Sequence, residues 1–126
     1  MTALSPGQRI TRAHQVTDAD SAPVLRNGDL PVLATPRLLA WCEGACMAVL
    51  AEGAVPGRTS VGTRVVLEHT RATPVGAAVD VQAELVHVDG RLLRFHVVAH
   101  DGAGHVLATG ELTRIFVDSG RFLARL

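Results

Sequence analysis

The stretch TPRLLAWCEGACMAVLAEG, Thr35 to Gly53, decides how the rest of the chain must be arranged. Thr35 precedes a proline, which suits the first position of a helix and keeps the residue before it extended, so Thr35 reads as the N-cap. No breaker but Gly44 follows until Gly53, and the spacing predicts a helix over Pro36–Ala51, closed by Glu52-Gly53 and by Pro56-Gly57 beyond. On a helical wheel centred on Glu43, the nearest residues are Leu39, Leu50, Pro36, Met47, Ala40 and Cys46, and the far side carries Trp41, Ala45, Leu38, Val49 and Ala48. Only Arg37 and Glu52 add charge, near the two ends. A helix apolar nearly all round has to be covered nearly all round. One flat sheet covers one side, so either a sheet curls around this helix or a second subunit covers the remainder.

Outward from the helix, the periodicity changes from helical to two. Before it, Gln8–Val16 is a short strand candidate, followed by a polar loop or lid over Thr17–Leu30. After it, Ser60–Thr70 alternates, with Val65, Leu67 and His69 on one face and Arg64, Val66 and Glu68 on the other. Arg71–Gly76 reads as a connection. Ala78–Val88 sets Val79, Val81, Ala83 and Leu85 against Asp80, Gln82 and Glu84, and Asp89-Gly90 is expected to supply the φ > 0 pair of a tight hairpin to Arg91–His100. A second turn, Asp101–Gly104, leads to His105–Val117, so the last three strands read as an antiparallel meander, with Gly120–Leu126 a tail of undefined order. Strand, long helix, then four strands is an α+β arrangement, one helix against one antiparallel sheet.

The 126 residues suit a single domain spanning 1–126, and with 48% hydrophobic residues but only 3% aromatic ones its core must be aliphatic. Twelve cations, all arginine, balance twelve carboxylates, so the basic surplus and stacking aromatics of a nucleic-acid binder are missing. No apolar run reaches the ~18 residues of a membrane span, and the opening MTALSPGQRI lacks the apolar middle of a secretory signal, which makes a cytoplasmic location the expectation. Cys42 and Cys46 are too few for a disulfide framework or a metal cage and read as small core residues. His96 and His100 share a strand face but lie ~13 Å apart, too far to chelate one ion, so no metal is expected.

Three residues stand out for chemistry. A carboxylate among Leu39, Leu50, Met47 and Cys46 loses hydration, which disfavours its charged form unless a cation or donors compensate; Glu43 is therefore either a functional acid or a side chain projecting past a sheet edge. His69 shares its strand face with Val65 and Leu67, so it is a core imidazole or a proton carrier. Thr35 would contribute ~1 kcal/mol as an N-cap, and it also stands at the positive end of the helix dipole, where an oxyanion is stabilised. Eight residues, about 12 Å along an ideal helix, separate Thr35 from Glu43, so the two cannot hydrogen-bond directly. If they serve one site, the helix begins later than Pro36, or a substrate, a water or the imidazole of His69 spans the gap.

The Ala34-Thr35 step, the run Trp41-Cys42-Glu43-Gly44-Ala45-Cys46, and Val61-Gly62-Thr63 followed by Glu68-His69-Thr70-Arg71-Ala72-Thr73-Pro74-Val75-Gly76 together resemble the hot-dog-fold acyl-CoA thioesterases. Within them they are similar to the fluoroacetyl-CoA thioesterase group. The likeness continues through Glu84-Leu85, Gly90-Arg91, Ala99-His100-Asp101-Gly102 and Gly110. It implies a long helix wrapped by a curved antiparallel sheet of about five strands, and a homodimer, with further pairing into a tetramer left open, with acyl-CoA sites at the subunit interface. It places the catalytic trio on Thr35, Glu43 and His69, and substrate contacts on Gly62 and Arg114. Glu43 would be the nucleophile or general base, His69 would carry protons and Thr35 would position; no cofactor beyond the CoA of the substrate is implied. Ala22–Leu33 lacks the phenylalanines of the fluoroacetyl-CoA enzyme's lid, which favours a general small- or medium-chain acyl group. The alternatives are a non-catalytic acyl-CoA-binding module and an enoyl-thioester hydratase, whose usual Asp/His helix-start pair is not found here.

Overall fold

Residues 3–126 are described by a computed structural model, in which five strands form one antiparallel sheet curved around a long helix. The strands are β1 (Arg9–Gln15), β2 (Arg58–His69), β3 (Ala78–Asp89), β4 (Leu92–Asp101) and β5 (Val106–Asp118), ordered β1-β3-β4-β5-β2. The meander β3-β4-β5 forms the centre, and β1 and β2 take the two edges. The expected α+β layering is present. Two short helices, α1 (Ala22–Leu25) and α3 (Ser119–Ala124), flank the long α2 (Thr35–Ala51). No helix among the described residues is long and apolar enough to cross a membrane.

The core lies between α2 and the concave face of the sheet. Leu38, Cys42, Ala45, Cys46 and Val49 of α2 meet Val79, Val81, Ala83 and Leu85 of β3 and Leu93, Phe95 and Ala99 of β4, all nearly inaccessible to water. Each large aliphatic side chain buried this way stabilises the fold by about 1.5–3 kcal/mol. Burial also pushes the thiols of Cys42 and Cys46 up to about 12, with the neighbouring charge of Glu43 and the Cys42 thiol acting in the same direction, so both remain inert core groups. The opposite side of α2 is less covered than its composition demands: Ala40, Gly44 and Met47 are exposed.

Four local expectations need correcting. The N-cap of α2 is Ala34, and Thr35 is the first helical residue, with no capping bond from its side chain. Thr17–Leu30 is not a plain loop. A 3-10 turn at Asp18–Asp20 and α1 fold within it, and the segment is tied down by Ala22 N–H to Val32 O, 2.9 Å, and by an Arg37–Asp20 ion pair of 3.0 Å. The hairpin loop after β3 is Gly90-Arg91, and of the two expected residues only Gly90 has positive φ, +58°; it takes the first loop position, where a type II′ turn calls for glycine. The tail is α3, capped by Asp118, whose Oδ1 accepts from the Arg121 N–H at 2.9 Å.

Candidate active site

α2 runs alongside β2, so the order of residues on one matches the reverse order on the other. Thr35 at the start of α2 stands beside His69, Glu43 two turns on stands beside Gly62, and Met47 one turn further stands beside Ser60. All three strand residues face the helix only because β2 carries a bulge: its pairing with β5 slips between Gly62 and Arg64. Strict alternation back from His69 would have put Val61 and Thr63 on the helix side instead.

The Thr35 end is a neutral hydrogen-bonded pair. Thr35 Oγ1 lies 2.7 Å from His69 Nδ1, while His69 Nε2 is buried with no partner among the described residues. Burial holds the imidazole below its ordinary value of 6.5, and a backbone hydrogen bond at Arg71 offsets this only in part. The ring is therefore neutral at physiological pH, with one nitrogen able to take up a proton. An open cavity of about 320 Å³ beside the pair is lined by Thr35 and His69 and by the aliphatic lid residues Leu30, Val32 and Leu33.

The Glu43 end is charged. Arg114, 8% exposed, spreads its guanidinium over three acceptors: Nε donates to Ser60 Oγ at 2.8 Å, Nη2 to Ser60 O at 3.0 Å, and Nη1 to Glu43 Oε2 at 3.3 Å. A buried guanidinium needs such partners, and its planar fork suits them. Glu43 is not as withheld from water as the helical wheel indicates. Its side chain is 38% exposed: Met47 is itself 39% exposed, and Arg114, rather than a closed apolar shell, holds the carboxylate. Gly62 makes the approach possible: a Cβ there would meet Glu43 Oε2 at 3.2 Å and Arg114 Nη1 at 3.5 Å.

Gly62 and Arg114 thus join Glu43, and Thr35 joins His69, but no hydrogen bond or ion pair links the two groups among the described residues. The helix begins at Thr35, earlier than Pro36, so the gap is not closed by a shift of the helix start. Sequence reading missed Ser60. Its only signal was its position two residues before Gly62, and the use of its hydroxyl depends on where Arg114 arrives from β5.

Residues 16–120 match the fluoroacetyl-CoA-specific thioesterase family. A fluoroacetyl-CoA thioesterase of Streptantibioticus cattleyicolor is 38% identical over 95 residues, 75% of this chain and 68% of that one. The solved structure of the fluoroacetyl-CoA thioesterase FlK superposes with a TM-score of 0.91 at 32% identity, covering 98% of this chain and 96% of the other. A phenylalanine-to-alanine variant of FlK in complex with fluoroacetate and CoA gives 0.86 at 32% identity, over 94% and 99%. A thioesterase superfamily member from Thermus thermophilus, 20% identical, shares the fold with a TM-score of 0.90 over 98% of this chain and 91% of the other. The curved sheet around one helix is accordingly the hot-dog fold, and the chain belongs to the fluoroacetyl-CoA-specific thioesterase family of thioester hydrolases.

Proposed function

We propose that the protein hydrolyses acyl-CoA at a site completed by two copies of the chain, Glu43 and Gly62 from one and Thr35 and His69 from the other. The observation that carries this reading is the carboxylate of Glu43 held by Arg114 beside Gly62 of the edge strand, where no side chain intervenes, with Glu43 Oε1 making no hydrogen bond among the described residues. Glu43 attacks the thioester carbonyl or takes a proton from the attacking water. His69, neutral at the outset, takes up the proton that the water loses as it attacks and passes it to the CoA thiolate, and Thr35 holds the imidazole.

The unpaired edge of β2 supports the two-copy assembly. It is a 12-residue strand with Val65 and Val66 exposed at 44% and 41%, an edge that invites pairing. Antiparallel pairing about a twofold axis between Val65 and Val66 lays Gly62 of one copy alongside His69 of the other. The lid-side cavity, aliphatic rather than aromatic, supports small or medium acyl chains without selection for fluorine.

The test is thiol release from a panel running from acetyl- and fluoroacetyl-CoA to octanoyl-CoA, by wild type and by Glu43→Gln. A folded Glu43→Gln protein is expected to lose at least about 10³-fold in kcat, as befits a group that touches the reacting carbon. Equal activity would remove Glu43 from the mechanism. CoA-dependent thermal stabilisation with no release of thiol from any substrate would mark a binding module instead.

A further inference from the structure

Arg114 meets Glu43 with one donor only, although a guanidinium fork readily clasps both oxygens of a carboxylate. The cause is Ser60 of β2, a buried residue whose two oxygens both face the guanidinium. Its Oγ accepts from Nε at 2.8 Å and its backbone O accepts from Nη2 at 3.0 Å. Those donors form one edge of the fork, an edge that would otherwise take a carboxylate two-on-two. With that edge filled, Nη1 reaches Glu43 Oε2 at 3.3 Å, and Oε1 makes no hydrogen bond among the described residues.

The Ser60 hydroxyl is itself oriented. Oγ donates to Met47 Sδ at 3.4 Å, so its hydrogen lies toward the sulfur and its lone pairs are left for Arg114 Nε. A thioether accepts this bond without adding charge to the cluster. The contacts therefore run as one chain, from Met47 on α2 through Ser60 on β2 and Arg114 on β5 back to Glu43, one helical turn before Met47. No hydrogen bond joins Ser60 to Glu43 directly among the described residues; the serine reaches the carboxylate through the guanidinium.

We propose that Ser60 is a positioning residue for the hydrolysis: its hydroxyl holds the Nε edge of Arg114, so that the guanidinium remains a one-point partner of Glu43 and one carboxylate oxygen stays available to the thioester. The inference rests on Glu43 acting at the thioester. Without the hydroxyl, a buried Nε–H has lost its acceptor, which is unfavourable. Glu43 is the carboxylate already in ion-pair reach of Arg114, so the guanidinium turns to it. Bidentate pairing then occupies both oxygens of Glu43 and leaves neither to attack or to take a proton.

Ser60→Ala is expected to lower kcat about tenfold or more while KM for the same acyl-CoA stays within about twofold, because the misplaced carboxylate serves the reaction rather than ground-state binding. Ser60→Thr, which keeps the hydroxyl on a side chain suited to a strand, should recover most of that loss. In an Arg114→Met background the serine has no guanidinium to hold, so adding Ser60→Ala should change kcat by less than about twofold. A loss in that background as large as in wild type would make Ser60 a packing residue and overturn the proposal. A Ser60→Ala enzyme with wild-type kcat would overturn it as well.

Nuclear magnetic resonance of protein carrying isotope-labelled arginine follows the guanidinium without turnover. The Arg114 Nε–H resonance, identified by its loss in Arg114→Met, should respond to Glu43→Gln more strongly in Ser60→Ala than in wild type, because only there does Nε face the carboxylate. An equal response in both backgrounds overturns the proposal. Should Glu43→Gln prove fully active while the stronger response is seen, the reading of Glu43 falls and the hold of Ser60 on Arg114 stands. An inactive Glu43→Gln beside a fully active Ser60→Ala sinks the positioning role alone.

Discussion

The two ends of the α2–β2 groove use opposite electrostatics. At one end a hydroxyl and an imidazole share a 2.7 Å hydrogen bond, and burial keeps the ring neutral. At the other a carboxylate keeps its charge company with a guanidinium at 3.3 Å that is itself locked onto Ser60. A neutral ring can accept a proton and a carboxylate can attack or pull one from water, and the proposed function divides the work of thioester hydrolysis between the two groups on that basis. Within one chain they stand apart, because Glu43 follows Thr35 by eight residues, more than two turns of helix. The contrast teaches that local packing tunes each half, whereas their meeting is left to the second copy of the proposed assembly.

The largest effect comes from breaking that dependence. Glu43→Gln and His69→Asn proteins, each inactive alone, are expected on mixing and subunit exchange to recover about a quarter of wild-type activity, since half of the random dimers would carry one intact composite site. Should activity stay at background after exchange is verified by mass, each site lies within a single chain and the composite arrangement is wrong.

The neutral half is sharpened by pH. Because the folded-state pKa of His69 lies below 6.5, the acid limb of kcat/KM should fall below pH 6.5, with the rate flat above it until other groups titrate. Stability follows the same sign: the folded chain binds the proton less readily than the unfolded one, so the contribution of His69 is present above pH 6.5 and is lost as the pH drops through its lowered folded-state pKa. In His69→Asn the limb should vanish with a rate loss of about 10²-fold or more. A limb centred above pH 6.5 in wild type would show that the ring is not held neutral by burial.

The charged half is tested by Arg114→Met, which leaves Glu43 and Ser60 without their shared partner. Thermal or urea unfolding should show a loss of about 1–3 kcal/mol, the range for stranding polar groups in a mostly buried place. Stability within a few tenths of wild type would mean the cluster relaxes to solvent at no cost.

Much of this was visible in the residues themselves. The long helix α2, the alternation of β3 and the meander followed from hydrophobic period and turn chemistry, which act over a few neighbours. Glu43 and His69 stood out because each broke an apolar face. What could not be read was mostly set by contacts distant in the chain. The Thr35 hydroxyl leaves its helix end for an imidazole 34 residues on. Ser60 matters through an arginine 54 residues away. The lid and tail form short helical turns whose stability comes from tertiary anchoring rather than propensity.

By itself, the order of residues determined that a long helix, apolar nearly all round, must lie against a sheet with one acid among its apolar residues, because helical periodicity is a property of consecutive positions. The tertiary structure decided how that acid is held. The bulge at Gly62 turns Ser60 and Gly62 toward the helix, the sheet order brings Arg114 beneath Glu43, and α3 closes a recess of arginines scattered from Arg58 to Arg125. Each of these depends on strand register and on pairing between distant segments, which a pattern of neighbours does not encode.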